Sequence, residues 1–380
     1  MADLFHHVHH LSKVIGPRGS ATPKEAEAAD YIEEELKEMG FSPIRETFRS
    51  VTSFSWPFML IYASFPIAVA LFFIRPLFGA LLTVLGFILF FLESTTFPVL
   101  SSRMPKKTSQ NIRAVVEARS KAVRRVVISA HYDSSRSALN FAPNMVSGFR
   151  RSYLAMLFAM EAIVLLLILG TFLPFIKLYV GIIAILPALF LLGTIIFLIH
   201  RETQGEYTPG ANDNASGVAV LLEIARILGK NRLISTSVEL LATGCEEAGT
   251  VGMIHYIKTH LVDKNTLFIN LDNLGAGKVS VTTREGMILS KNASPDLLEI
   301  AHETVDEKCL AVDFRPYQLL TTDATAVMVR GYGAFSVMGI DENGLLPNWH
   351  WHTDVAENVN PENLETAKAL VLGMLRKIDQ

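Results

Sequence analysis

The chain has 380 residues, half of them hydrophobic and only 19% charged, with a formal net charge of −3. A mean hydropathy of +0.33 makes it too apolar for an average soluble enzyme, and no basic excess points to nucleic acid. The two cysteines, Cys245 and Cys309, lie in no Cys-x-x-Cys pattern, so neither a disulfide framework nor a cysteine-built zinc site is implied.

The first 50 residues read as soluble sequence, and no basic start followed by an apolar core marks a signal peptide. His6, His7, His9 and His10 are expected on the polar side of a first helix rather than around a metal. Thr22-Pro23 supplies a cap with proline at the first helical position, and this second helix is expected to run to Met39 and stop at Gly40. Ala29, Ile32 and Leu36 fall on its buried face.

The composition then changes abruptly. Phe54 to Ile74 carries no charge, Arg75-Pro76 breaks the run, and Leu77 to Leu92 is again uncharged. A second pair follows: Tyr153 to Ile176 is apolar except for Glu161, Lys177 marks a turn, and Leu178 to Ile199 is uncharged. Roughly 20 apolar residues cross a hydrocarbon core, and a buried core helix seldom lacks a polar face over such a length. Two transmembrane hairpins, 54–100 and 153–199, are therefore expected to interrupt a discontinuous domain of residues 1–53, 101–152 and 200–380. Glu161, inside a span, is expected to be a functional group or a protonated or paired carboxyl facing another helix. Phe141, Met145 and Phe149 lie on a linker expected to rest on the membrane surface or cover a site.

Outside the hairpins, strands are expected at Asn111 to Ala118, Val123 to Ala130, Val238 to Thr243, Leu267 to Leu271 and Ala334 to Met338, alternating with helices. Val123 to Ala130 has the continuous apolar run of a central strand. Strand–helix alternation implies an α/β fold with a mostly parallel sheet covered on both faces, and such sheets collect functional groups at the carboxyl ends of their strands. His131, Glu246, Glu247 and Asp272 sit at such ends, and Asp213 lies in the polar turn Gly210-Ala-Asn-Asp-Asn-Ala-Ser-Gly217 before a helix.

These residue types suit metal chemistry. Zinc takes imidazole and carboxylate ligands, and a two-metal site needs a bridging carboxylate and about two further ligands for each ion. The supply is His131 and Asp272 on one ion, Glu247 and His352 on the other, and Asp213 between them. Asp133 is close enough to take the second nitrogen of His131. Of the adjacent pair Glu246-Glu247, one carboxylate can hold metal while the other acts as general base.

The sequence resembles family twenty-eight of the metallopeptidases, the co-catalytic di-zinc aminopeptidases. The resemblance rests on IGPRGSATPKEAEAADYIEEELKEMGF near the start, VVISAHYDS, GANDNASGVAVLLEIAR, EEAGTVGM, NLDNLGAG, TTDA and HTDVAEN. It covers most of the soluble sequence and neither hairpin. It implies a three-layer phosphorylase/hydrolase-like zinc-peptidase domain and two zinc ions on His131, Asp213, Glu247, Asp272 and His352. It also implies Glu246 as base, Asp133 and Asp323 holding the ligands or the substrate, and a cis peptide after Asp213. Several family members place Tyr before the last histidine ligand; here Trp351 stands there, within Trp349-His350-Trp351-His352, and His350 is expected to be a structural neighbour.

The expected activity is hydrolysis of the first bond of peptides with a free N-terminus, by a protein anchored in a bilayer. The hairpins add an expectation of membrane-derived or lipidated substrates. Two alternatives stand beside it: a glutaminyl-peptide cyclase, which the Trp-His-Thr string resembles, and a non-catalytic membrane receptor or scaffold. Arg45, Arg49, Arg103, Lys106, Lys107, Arg150, Arg151 and Arg201 flank one side of the spans against Arg75 and Lys177 on the other, which places the enzyme domain in the cytoplasm.

Overall fold

The computed structural model describes residues 4–380, and the chain divides into two compact units. One comprises the segment up to Thr52, Lys106–Ser137 and Tyr207–Gln380; the other comprises Ser53–Pro105 and Ala138–Glu206.

The first unit is built on one sheet. Among the described residues its nine strands are β1 (Ile44–Ser50), β2 (Lys107–Val116), β3 (Arg124–His131), β4 (Thr236–Thr243), β5 (Leu267–Leu271), β6 (Lys278–Glu285), β7 (Lys291–Asn292), β8 (Asp313–Tyr317) and β9 (Gly333–Ile340). Their order is β1-β2-β4-β3-β5-β9-β6-β7, with β8 paired to β6. The centre, β4-β3-β5-β9, is parallel, while β1, β2 and β6 run antiparallel to their inner neighbours. Val126, Val127, Ile128 and Ala130 of β3 are all fully buried, as a strand covered on both faces requires.

The strand order also explains the layering. The chain moves from β3 to β4 and then back past β3 to β5. Parallel crossovers are right-handed almost without exception, so reversing direction puts the connecting helices on opposite faces. Helix Ser216–Lys230, before β4, packs with Pro23–Glu38 and Pro361–Ile378, whereas Val251–Thr259, after β4, packs with Asp323–Met328. The carboxyl ends of β3, β4 and β5 come together beside this reversal.

Of the first histidines, His6 and His9 are exposed as expected, while His7 and His10 pack on the second helix. His7 turns inward, its Nδ1 2.6 Å from the Tyr31 hydroxyl, and the His10 ring stacks on Tyr31 at 4.0 Å. Tyr31, on the exposed edge of the second helix, offers these rings a flat apolar surface. No metal-binding group among the described residues includes them.

Close approach fixes the carboxyl end of β9. A Cβ on Gly339 would lie 1.9 Å from the Ala276 carbonyl oxygen, where the loop after β5 crosses the strand. Gly339→Ala is expected to lower stability by about 1–3 kcal/mol, read as a lower melting temperature of the purified chain.

The second unit consists of helices Ser55–Ile74, Pro76–Ser94, Phe149–Phe172 and Lys177–Gln204, with short turns at Leu139–Phe141 and Val146–Gly148. All four helices are long and apolar enough to cross a membrane. Arg75 separates the first two, and Pro76 opens the second. Small residues let the helices meet: a Cβ on Gly79 would be 2.7 Å from the Ala68 oxygen, and one on Gly86 2.4 Å from Ser64 Oγ. Glu161 lies on an exposed face of Phe149–Phe172, not between helices.

Candidate metal centre

The site grows out of the ends of β3, β4 and β5. His131 is the last residue of β3, and its Nε2 lies 3.1 Å from Asp213 Oδ1 and 3.5 Å from Asp272 Oδ1. Its Nδ1 lies 3.2 Å from the Asp133 carbonyl oxygen and 3.5 Å from Asp133 Oδ1. The fully buried Asp133 carboxylate also accepts hydrogen bonds from Ser20 Oγ at 2.6 Å, the Glu246 N–H at 3.0 Å and the Glu247 N–H at 3.1 Å. One carboxylate thus joins the histidine strand to the Glu-Glu loop.

The turn holding Asp213 is locked on both sides, and its composition explains how. Asn has a donor and an acceptor on one short side chain. Asn214 Nδ2 donates to the Leu271 carbonyl, while its Oδ1 accepts from the Gly217 and Asn273 N–H groups. Asn212 reaches the Gly275 N–H and Asn273 Oδ1. The two asparagines therefore tie the bridge loop to the loop that carries Asp272. Asp354 accepts from the Asn212 and Asp213 N–H groups at 2.5 and 3.2 Å. The Asp213–Asn214 peptide is cis.

On the other side of Asp213, the Nε2 of His350 lies 3.2 Å from Asp213 Oδ2 and 3.1 Å from Glu247 Oε1. The site thus contains two buried groups of three potential ligands, His131–Asp213–Asp272 and Asp213–Glu247–His350, in each of which the ligand atoms lie within 4.8 Å of one another. Asp213 belongs to both and gives one oxygen to each.

This geometry corrects one sequence-based assignment. His352 is exposed and belongs to neither group, while His350 is buried and fills the place expected of His352. The cause is local backbone. Asn348 and His350 both take left-handed conformations, with φ of 63° and 49°, and the Trp351 N–H donates to the Asn348 carbonyl across a tight turn. Asp354 then clamps the downstream end of that turn onto the bridge loop. Trp351 is half-buried beside His352. Cys245 and Asn273 are also left-handed, and each adjoins a site carboxylate, Glu246 or Asp272; such conformations concentrate where side chains must be aimed.

The Peptidase family M28 model matches residues 193–375. That match covers just under half of the chain. Within curated sequences the chain is 35% identical over 101 residues to "Aminopeptidase YwaD" of Bacillus subtilis, covering 24% of this chain and 22% of that protein. It is 36% identical over 81 residues to "Probable lipoprotein aminopeptidase LpqL" of Mycobacterium tuberculosis, covering 20% and 16%. These matches span about a fifth of the relatives' own length. The fold is that of a zinc aminopeptidase from Bacillus subtilis, with TM-score 0.58 at 15% identity over 99% of this chain and 94% of that one. Glutaminyl cyclase from Porphyromonas gingivalis has the same likeness, TM-score 0.58 at 15% identity over 99% and 97%.

The donor set of this site suits divalent cations. Asp133, Asp213, Glu247, Asp272, Asp323 and Asp354 are all buried together with His131 and His350, an excess of negative charge that cations would neutralise. Burial opposes ionisation of Asp213, but hydrogen bonds from His131 and His350 outweigh it and hold the carboxyl below its usual range. Burial lowers the basicity of His350, but Glu247 and Asp213 overcome it and raise the imidazole to about 9. Glu247 Oε1 is buried, with His350 Nε2 3.1 Å away as its neighbour.

Glu246 is half-buried at the rim. Burial pushes its carboxyl well up, His131 opposes this, and Glu247, Asp323 and Asp272 add to the rise. Asp323 is raised to about 7 by burial, with a hydrogen bond from Thr243 Oγ1 working against the shift; its Oδ1 makes no hydrogen bond. Asp354 is raised to about 7 by burial and by Asp213. Its anchoring role was not legible beforehand, although its place in the His-Thr-Asp string was a signal.

Proposed function

We propose that this chain is a membrane-anchored aminopeptidase that works with two zinc ions. The observation that supports this best is the shared carboxylate: Asp213 presents one oxygen to His131 and Asp272 and the other to Glu247 and His350. Zinc supplies an acidified water and a polarised carbonyl when bound. His131, Asp213, Asp272, Glu247 and His350 would hold it. Glu246 takes the proton of the attacking water and returns it to the leaving amine, and its raised pKa suits both halves of that task. Asp133 keeps the Glu246-Glu247 loop registered on His131. Asp323 keeps one oxygen uncommitted and serves to steady the site or the substrate.

Four helices long and apolar enough to cross a membrane support the anchoring, and the basic flanks of the spans favour a cytoplasmic peptidase unit. Substrates are peptides with a free N-terminus, including membrane-derived or lipidated ones.

The likeness to glutaminyl cyclases supports a second reading, cyclisation of N-terminal glutamine. One experiment separates the two. Zinc-supplemented protein is expected to release arylamine from aminoacyl-arylamides and none from their N-acetylated forms. Ammonia release from glutaminyl peptides without bond cleavage would instead establish the cyclase.

A further inference from the structure

Arg18 lies in the N-terminal Ile-Gly-Pro-Arg-Gly-Ser string, far in sequence from the candidate ligands, and is completely buried. Its five side-chain hydrogen bonds all go to backbone carbonyls, and no carboxylate is among its partners. Nε donates to Tyr132 at 2.8 Å. Nη1 donates to Leu11, Gly16 and Pro209 at 2.9, 3.2 and 2.6 Å, and Nη2 to Gly210 at 2.9 Å. Burial lowers its pKa to about 10, with Asp354, Asp133 and Asp213 acting to keep it charged, so it is a cation at neutral pH.

The choice of carbonyls is informative. Tyr132 lies between His131 and Asp133, and Gly210 opens the turn that presents Asp213. One planar guanidinium therefore spans the two loops whose side chains meet as His131 Nε2 and Asp213 Oδ1, 3.1 Å apart. A parallel tie runs beside it: Ser134 Oγ accepts from the Arg18 N–H at 3.0 Å and donates to the Thr208 carbonyl at 2.9 Å. Gly210 is shaped for this approach: it is left-handed at φ 64°, and a Cβ there would lie 2.6 Å from Ser134 Cβ, 2.7 Å from the Asp213 carbonyl oxygen and 2.9 Å from Arg18 Nη2. A lysine carries the same charge but cannot fork across three segments.

We infer that Arg18 is a positioning residue for one metal site: its guanidinium sets the spacing of the His131 and Asp213 loops, and so the grip of His131, Asp213 and Asp272 on their ion. The inference rests on the two-zinc reading. It assigns Arg18 a selective effect, since the Glu247–His350 side is not among its contacts.

The test is zinc binding by the full-length chain, titrated against a chromophoric chelator, with thermal unfolding recorded in parallel. Wild type is expected to bind two equivalents; fewer would overturn the two-zinc reading itself, whatever Arg18 does. Arg18→Lys is expected to hold one equivalent about 10–100-fold more weakly, the usual effect of losing a group that orients a ligand, and the other unchanged. Ser134→Ala, which buries no unpaired charge, is expected to weaken the same equivalent by a smaller factor. If folded Arg18→Lys binds both ions like wild type, or loses both equally, the inference is overturned. If Arg18→Lys does not fold, wild-type binding of both ions by Ser134→Ala overturns it instead.

Discussion

Glu246→Gln is expected to lower kcat on an aminoacyl-arylamide by about 10²–10⁴-fold, the range that a positioned general base contributes, while zinc content and melting temperature stay at wild-type values. Gln matches Glu in shape but cannot take a proton at neutral pH. The Glu246 N–H is held by Asp133, so the substituted side chain starts from the same backbone position. Glu246 is half-buried, whereas Glu247 is buried against His350, so the two neighbours differ in exposure as the proposed division into base and ligand requires. A parallel loss of zinc would mean that the roles of the pair are reversed, and full activity would remove Glu246 from the mechanism.

The second large effect distinguishes two histidines that differ by only two positions. His350→Ala removes an imidazole 3.2 Å from Asp213 and 3.1 Å from Glu247. Loss of the ion it helps to hold forfeits several kcal/mol of transition-state stabilisation, or on the order of 10³-fold in kcat/KM. His352→Ala changes an exposed side chain and is expected to leave kcat/KM within about twofold of wild type, as surface substitutions commonly do. Zinc analysis alongside the kinetics checks the cause: His350→Ala should retain about one equivalent, consistent with two ions sharing Asp213. Full activity in His350→Ala with loss in His352→Ala would restore the sequence-based assignment.

That misassignment shows where sequence reading stops. The strings around His131, Asp213, Glu246-Glu247 and Asp272 were legible because each follows an apolar strand or opens an apolar helix, and the fold brings strand ends together. His350 and His352 sit in an irregular loop with no period to say which turns inward. The deciding features are two left-handed residues and the anchoring of Asp354 on the bridge loop, all set by tertiary structure. The core strands β3, β4 and β5 announced themselves as apolar runs. The strands Ile44–Ser50, Lys278–Glu285 and Asp313–Tyr317 did not, because IRETFRS and DFRPY mix charged residues with few apolar ones, and KVSVTTRE carries two valines among hydroxyl and terminal charged residues. Arg18 was hidden for another reason: a lone arginine near the N-terminus looks like surface until five carbonyls are found around it.

The central claim is the shared carboxylate, and anomalous X-ray scattering at the zinc edge from the zinc-loaded protein tests it most directly. Two peaks about 3.5–4 Å apart are expected on either side of Asp213, one within reach of His131 and Asp272, the other within reach of Glu247 and His350. A single peak, or a second one at His352, would contradict it.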